Sequence, residues 1–150
     1  MRFNLKIPTS RFGIIDIPED QVIYVPSGLI GFPNQKRYVL REHKKGSPFI
    51  WFQAVDEGEL AFVLIDPLLF KPDYEFQVNS EDQKTLGFAE SCEGLQTMVI
   101  VNIIPGEPME VTANLLGPVV MNTKKKLAKQ VILHQSSYPT RFPVLTAKKQ

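Results

Sequence analysis

Apolar and polar positions alternate over short stretches of this 150-residue chain instead of recurring at helical spacing. Met1, Phe3, Leu5 and Ile7 fall on one side and Arg2, Asn4 and Lys6 on the other, which predicts a strand over 2–7. A second strand over 13–17 follows the loop Pro8-Thr9-Ser10-Arg11-Phe12, so the two read as a hairpin. Further strands are expected over 22–25, 38–41, 49–55, 60–65, 74–78, 98–104, 111–115, 118–122 and 130–133. Turn residues separate them, as in Asp56-Glu57-Gly58-Glu59. The nearly unbroken apolar run 98–104 has the character of a buried central strand. About ten short strands with turns between them make the pattern of an all-β, barrel-like fold.

One segment reads as helix. Ser80 is placed as its N-cap, Glu81 and Asp82 occupy the first turn, Gln83 stands at the third position, and Gly87 is set to end it after Leu86. With no internal repeat or linker, 150 residues suit a single domain. Residues 136–150, with two prolines and Lys148-Lys149 near the end, read as a loosely packed tail.

Composition agrees with the pattern. Hydrophobic residues make up 43% and charged residues 22%, which excludes disordered and collagen-like chains. Twelve prolines oppose long helices, and 13 Val with 12 Ile against 6 Ala favour a pleated sheet. The lone Cys92 has no partner for an internal disulfide and cannot build a zinc site, which fits a reducing compartment. The alternating N-terminus is not the apolar core of a signal peptide. The run from Met98 to Val101 breaks at Asn102, far short of the roughly 20 residues a bilayer needs. A soluble, cytoplasmic protein with no membrane contact is expected.

The net charge of +1 hides segregation. Residues 1–51 carry +4, residues 52–110 carry −10, and residues 111–150 carry +7. Two arrangements are open: an acidic and a basic face, or blocks interleaved by folding into a mixed surface.

Catalytic chemistry has little to draw on. His43 lies in the charged loop Arg41-Glu42-His43-Lys44-Lys45, and His134 stands near a strand end; neither is spaced to activate a nucleophile. Acidic neighbours of Cys92 oppose an activated thiolate. Gly28-x-x-Gly31 is too short for a phosphate loop, and Asp66, Asp73 and Glu75 lack calcium-loop spacing. No enzyme activity, cofactor or metal is expected. Lys124-Lys125-Lys126 with Lys129 bears the charge to meet phosphates but has no aromatic residue for base stacking, and reads better as a solvated turn.

The most unusual stretch is Leu64-Ile65-Asp66-Pro67-Leu68-Leu69-Phe70-Lys71-Pro72-Asp73-Tyr74. Two prolines five residues apart forbid a regular helix. The stretch is either a rigid patch with apolar residues beside carboxylates, or a structural corner whose apolar residues plug the barrel. The burial tendency of Leu and Phe favours the corner. In Thr112-Ala113-Asn114-Leu115-Leu116-Gly117-Pro118, Asn114 either satisfies a local turn or presents an amide to a partner.

These segments resemble a known family. Ala61-Phe62-Val63-Leu64-Ile65-Asp66-Pro67 leading to Pro72-Asp73-Tyr74 is similar to the signature of the flagellar assembly factor FliW. So is Thr112 through Asn122, followed by Lys129-Gln130-Val131-Ile132-Leu133. Gly28-Leu29-Ile30-Gly31-Phe32 and Ser47-Pro48-Phe49-Ile50-Trp51-Phe52-Gln53 resemble two earlier blocks, although Ile30 and Pro33 stand where the family commonly has Pro and Glu. The resemblance implies a non-enzymatic bacterial protein that binds the translational repressor CsrA, relieves repression of flagellin synthesis, and exchanges CsrA for flagellin.

On that footing the partner-binding residues are expected to be Asp66, Asp73 and Glu75, with Phe70 and Tyr74 as apolar anchors and Asn114 and Asn122 as weaker candidates. Two rivals remain: a flagellin chaperone without CsrA control, docking helices near Leu68 to Phe70, and an RNA binder using Lys124 to Lys126, Lys129, Arg141 and Lys148-Lys149. Direct nucleic-acid binding is not expected. Oligomeric state is left open by the sequence.

Overall fold

The computed structural model describes residues 3–88 and 91–144. Strands β1 (Asn4–Thr9) and β2 (Gly13–Pro18) form the hairpin, in register from Asn4↔Pro18 to Thr9↔Gly13. Thr9 closes its loop, because the hydroxyl accepts from the Phe12 N–H at 2.8 Å and donates to the Gly13 carbonyl at 2.7 Å. A 3-10 turn at Glu19–Gln21 leads to β3 (Ile23–Tyr24), β4 (Arg37–Glu42), β5 (Ile50–Ala54) and β6 (Ala61–Ile65). A second 3-10 turn at Pro67–Leu69 precedes the helix α1 (Ser80–Thr85). Then follow β7 (Leu95–Ile104), β8 (Glu110–Ala113), β9 (Val119–Asn122), β10 (Leu127–Gln130) and β11 (Phe142–Pro143).

Nine strands join in the order β11-β8-β7-β6-β5-β4-β3-β10-β9. β7 is long enough to pair twice along its length, with β9 at Leu95 to Met98 and with β8 at Val101 to Ile104. The β7–β9 pairing closes the sheet on itself, so that β7-β6-β5-β4-β3-β10-β9 form a barrel. Closure removes exposed edges where the ladders run, whereas β7 extends beyond its ladder with β6. The strand-rich, barrel-like expectation is met, with one short helix.

Each closing strand sends side chains into the barrel: Ile23, Tyr38, Phe52, Leu64, Met98, Met121 and Ala128 are buried together. A second core lies outside it, where Ile65, Val99, Val101 and Val111 of β6, β7 and β8 meet Tyr74, Leu86, Phe88, Leu115, Val131 and Val144. The hairpin packs Ile7, Ile15 and Ile17 on Val22 and Val39. Gly58, in the β5–β6 turn, lets the hairpin approach. Its carbonyl accepts from the Ser10 N–H at 3.1 Å, and a Cβ there would stand 2.1 Å from the Pro8 carbonyl oxygen.

Four expectations need correction. The alternating stretch 74–78 is extended but joins no ladder; Tyr74 turns inward and Phe76 and Val78 pack against the outer core without a strand beside them. The last barrel strand is Leu127–Gln130, earlier than 130–133, because β10 must lie opposite Val119 to Asn122 across a tight turn. The helix is capped by Asn79 in place of Ser80: the Asn79 Oδ1 accepts from the Asp82 N–H at 2.7 Å, while Gly87 ends the helix at φ +81° as expected. The stretch 136–144 is packed. The Leu115 N–H donates to the Pro139 carbonyl, the Val144 N–H donates to the Val111 carbonyl, and β11 pairs with β8. Arg2, Glu90 and the remaining tail, with Lys148 and Lys149, lie outside the described residues.

Candidate partner-binding surface

The corner after β6 is built by its own residues. Asp66 caps the 3-10 turn: its Oδ1 accepts from the Leu68 N–H at 3.0 Å, and Pro67 supplies the φ that starts the turn. Main-chain bonds from Leu69 to Asp66, from Phe70 and Lys71 to Pro67, and from Tyr74 to Lys71 fold the segment tightly. Pro67 is buried and Phe70 half-buried, stacked on Phe142 with ring centroids 5.8 Å apart. Leu68 and Leu69, however, are 53% and 63% exposed. The corner therefore shares features of both alternatives: Phe70 packs against the outer core and not inside the barrel, while its neighbours Leu68 and Leu69 point to solvent. They point outward because the 3-10 turn sets successive side chains about 120° apart, so Pro67 and Phe70 share the inner side.

The seven residues expected at a binding surface divide by environment. Asp66, Asp73 and Glu75 lie on this corner, with Asp73 and Glu75 exposed. Lys71 pairs with Asp73 at 3.0 Å while lying over the rings of Phe142 and Tyr138, and this ammonium holds the Asp73 carboxyl below its usual range. Tyr74 is buried. Its hydroxyl donates to the Leu115 carbonyl at 2.7 Å, and burial pushes its ionisation upward. Asn114 holds a turn, with its Oδ1 accepting from the Leu116 and Gly117 N–H groups. Asn122 is 2% exposed; it donates to the Leu86 carbonyl and accepts from the N–H groups of Lys124 and Lys125. Tyr74 and Asn122 are thus withdrawn from the surface, and the Asn114 carboxamide oxygen is spent locally.

Beside the corner is an open depression of about 370 Å³, lined among others by Asp66, Leu68, Glu75, Phe76 and Leu95. Glu75 and Phe76 also border a neighbouring one of about 490 Å³ that reaches His134, so they form a ridge between the two. The Glu75 backbone is held from behind by the Tyr138 hydroxyl, within 3.2 Å of its N–H and 3.1 Å of its carbonyl. Leu95, Gln96 and Thr97 were not foreseen here, because apolar continuity begins only at Met98. Their strand character comes from pairing with β9.

Folding interleaves the charge blocks. Arg37 of the first block binds Asp56 of the acidic block, with nitrogen–oxygen distances of 3.0 and 2.6 Å. Lys124 and Lys129 of the last block approach Glu93 and Asp82. The Lys126 ammonium donates to the Thr123 carbonyl, while Lys124 and Lys125 stay exposed. Among the described residues Asp66 and Glu75 have no ion-pair partner. The same residues hold no cluster of potential metal ligands, and Cys92 is exposed. No described helix is long and apolar enough to cross a membrane.

The sequence profile of the FliW protein matches residues 6–144. The chain belongs to the FliW family. It is 41% identical over 141 residues to the flagellar assembly factor FliW of Syntrophus aciditrophicus, covering 94% of this chain and 88% of that one. It is 42% identical over 139 residues to FliW of Bacillus licheniformis, covering 92% and 95%. A crystal structure of a flagellar assembly factor FliW superposes with a TM-score of 0.84 at 32% identity, over 97% of this chain and 100% of that one. The fold and the role in flagellar assembly follow from this membership.

Proposed function

We propose that this FliW-family chain is a cytoplasmic, non-enzymatic binding protein that antagonises the translational repressor CsrA and also binds flagellin, the two partners exchanging on it. The observation that carries the reading is the exposed Leu68–Leu69 pair beside the unpaired carboxylates of Asp66 and Glu75 and the outer face of Asp73. An RNA-binding repressor is basic around its RNA site, so an acidic rim speeds encounter, while desolvated leucines supply the lasting contact. Phe70 supports the corner from below and Tyr74 pins it. Exchange then needs only overlapping or coupled sites, with its direction set by relative affinity and concentration.

Calorimetric titration with CsrA of the same organism, repeated with flagellin already present, tests the proposal. Saturable CsrA binding that flagellin abolishes supports it, and Asp73→Lys or Leu68→Asp then weakens CsrA binding about tenfold without moving the melting temperature. Flagellin binding without CsrA binding transfers the function to a flagellin chaperone. Silence with both partners overturns the proposal.

A further inference from the structure

A second surface has the opposite chemistry. The ladder between β6 and β7 stops at Val63↔Val101, whereas β7 continues to Ile104 with only β8 alongside. Peptide groups in an antiparallel strand point alternately to its two sides. Ile103 therefore points its N–H and C=O to the side where Val101 meets Val63, but the ladder does not reach it: Ala61, the β6 residue in line with it, pairs with Gln53 of β5 and not with β7. The β6 and β7 ends separate here around a depression of about 590 Å³, within the range of built ligand sites. Its wall is apolar, with Trp51, Phe62 and Ile100, and it also contains Thr112, whose buried hydroxyl has no hydrogen-bond partner.

The rim is basic. The Arg11 guanidinium lies 4.8 Å above the Trp51 ring, Arg141 is exposed, and among the described residues neither meets a carboxylate. Among the described residues no Asp or Glu lines the depression, in a chain with sixteen of them. It shares no lining residue with the acidic depression beside Leu68.

We infer that this free edge of β7 docks an extended peptide segment of a partner protein, with apolar residues at its centre and carboxylates flanking them. The segment adds a short strand against Ile103, lays its apolar side chains over Trp51 and Phe62, and brings its carboxylates to Arg11 and Arg141. Main-chain bonding to an open edge supplies affinity without sequence preference, and the two guanidiniums supply the preference for acid. The inference does not depend on the CsrA proposal.

Trp51 is the single tryptophan of the chain and reports directly on the site. A positional-scanning library of acetylated, amidated octapeptides is titrated against the full chain, with Trp51 emission as the readout. Peptides with Val or Ile at the centre and Asp or Glu at the flanks are expected to bind saturably and change the emission. Lysine at the same flanks removes binding, and so does N-methylation of a central amide. Arg141→Glu weakens binding about tenfold, and adding Arg11→Glu weakens it further, with circular dichroism unchanged because both side chains are exposed. Absence of any emission-changing peptide, indifference to flanking charge, or full affinity in the double variant overturns the inference.

Discussion

Tyr74 separates the architecture of the corner from its recognition chemistry, because the FliW resemblance proposes it as an anchor and the fold uses it as a pin. The residue is 6% exposed, and its hydroxyl donates to the carbonyl of Leu115, which is itself fully buried. Tyr74→Phe keeps the ring and its contacts with Tyr138 and Phe76, at centroid distances of 4.8 and 5.6 Å, and removes only the donor. The Leu115 carbonyl is then left without the partner it has now, a loss of roughly 1–2 kcal/mol. At about 2–4 °C per kcal/mol for a chain of this size, the melting temperature falls by about 2–8 °C. Tyr74→Ala also empties the ring site and costs about 3–5 kcal/mol. Thermal unfolding followed by circular dichroism, with calorimetric CsrA titration of the folded variants, reads both quantities. If CsrA binds as proposed, the expected Phe variant is less stable and binds it as tightly as the parent. A variant of unchanged melting temperature and reduced affinity refutes the reasoning and returns the hydroxyl to the partner.

Three other substitutions probe the frame. Gly58→Ala sets a methyl group 2.1 Å from the Pro8 carbonyl oxygen and is expected to cost about 1–3 kcal/mol as the hairpin shifts; an unmoved denaturant midpoint would contradict that close approach. Tyr38 is fully buried, stacks on Phe52 at 4.4 Å, and has an unpartnered hydroxyl whose ionisation burial pushes up to about 12. Tyr38→Phe is therefore expected to hold or raise stability, by up to about 1 kcal/mol, whereas a clear drop in chemical denaturation would reveal a partner for that oxygen. Arg37 holds the Asp56 carboxyl below its usual 3.8, so this pair adds stability above that pH and loses it as pH falls through the lower folded value. Because both groups are well exposed, Asp56→Asn should cost less than about 1 kcal/mol at pH 7, and the difference should vanish once the pH falls below the lowered folded value; a loss that persists in acid would exclude the ion pair as its cause.

Most of the strand pattern was legible because alternation and turn residues report on the local chain. Asp56-Glu57-Gly58-Glu59 turns where expected, and the apolar run after Met98 is central to the sheet. What failed to show depends on neighbours distant in sequence. Gln96 and Thr97 become strand only by pairing with Met121 and Val120. Residues 74–78 alternate like a strand yet have no ladder, because the outer core accepts Tyr74 and Phe76 while Tyr138 takes up the Glu75 backbone. The helix cap moved one residue because Asn79 and Ser80 both have capping side chains, and periodicity does not choose between adjacent candidates. At the candidate surface, Asp66 and Asp73 stand out by their place in an unusual segment, with Glu75 just beyond its end. Asn122 matched the same family pattern, but its amide bonds to Leu86, 36 residues away, and to the following turn; no local spacing reveals such a connection.

The charge blocks supply a further lesson about reading a surface from a sequence. A middle segment of −10 suggests a uniformly acidic face, but Asp56, Glu93 and Asp82 each meet a cation from a flanking block. Other acids of the block, Glu57, Glu59, Glu81 and Glu110 among them, have no ion pair among the described residues, so it is apolar surface beside unpaired charge that distinguishes two places. On one side stand Asp66 and Glu75, next to exposed leucines. On another stand Arg11 and Arg141, which among the described residues also find no carboxylate, next to Trp51 and the end of the β6–β7 ladder. Each site combines unpaired charge of one sign with apolar surface, and that combination, more than block charge, selects a partner, because paired ions contribute little field while desolvated apolar contacts hold the complex. On the two proposals made above, a basic partner and an acidic peptide segment would be sorted to different places on one small barrel. Reversing Asp73 should leave peptide binding at the β7 edge untouched, just as reversing Arg141 should leave CsrA binding untouched. Cross-effects between the two variants would require coupling through β7, the one strand that lines both depressions.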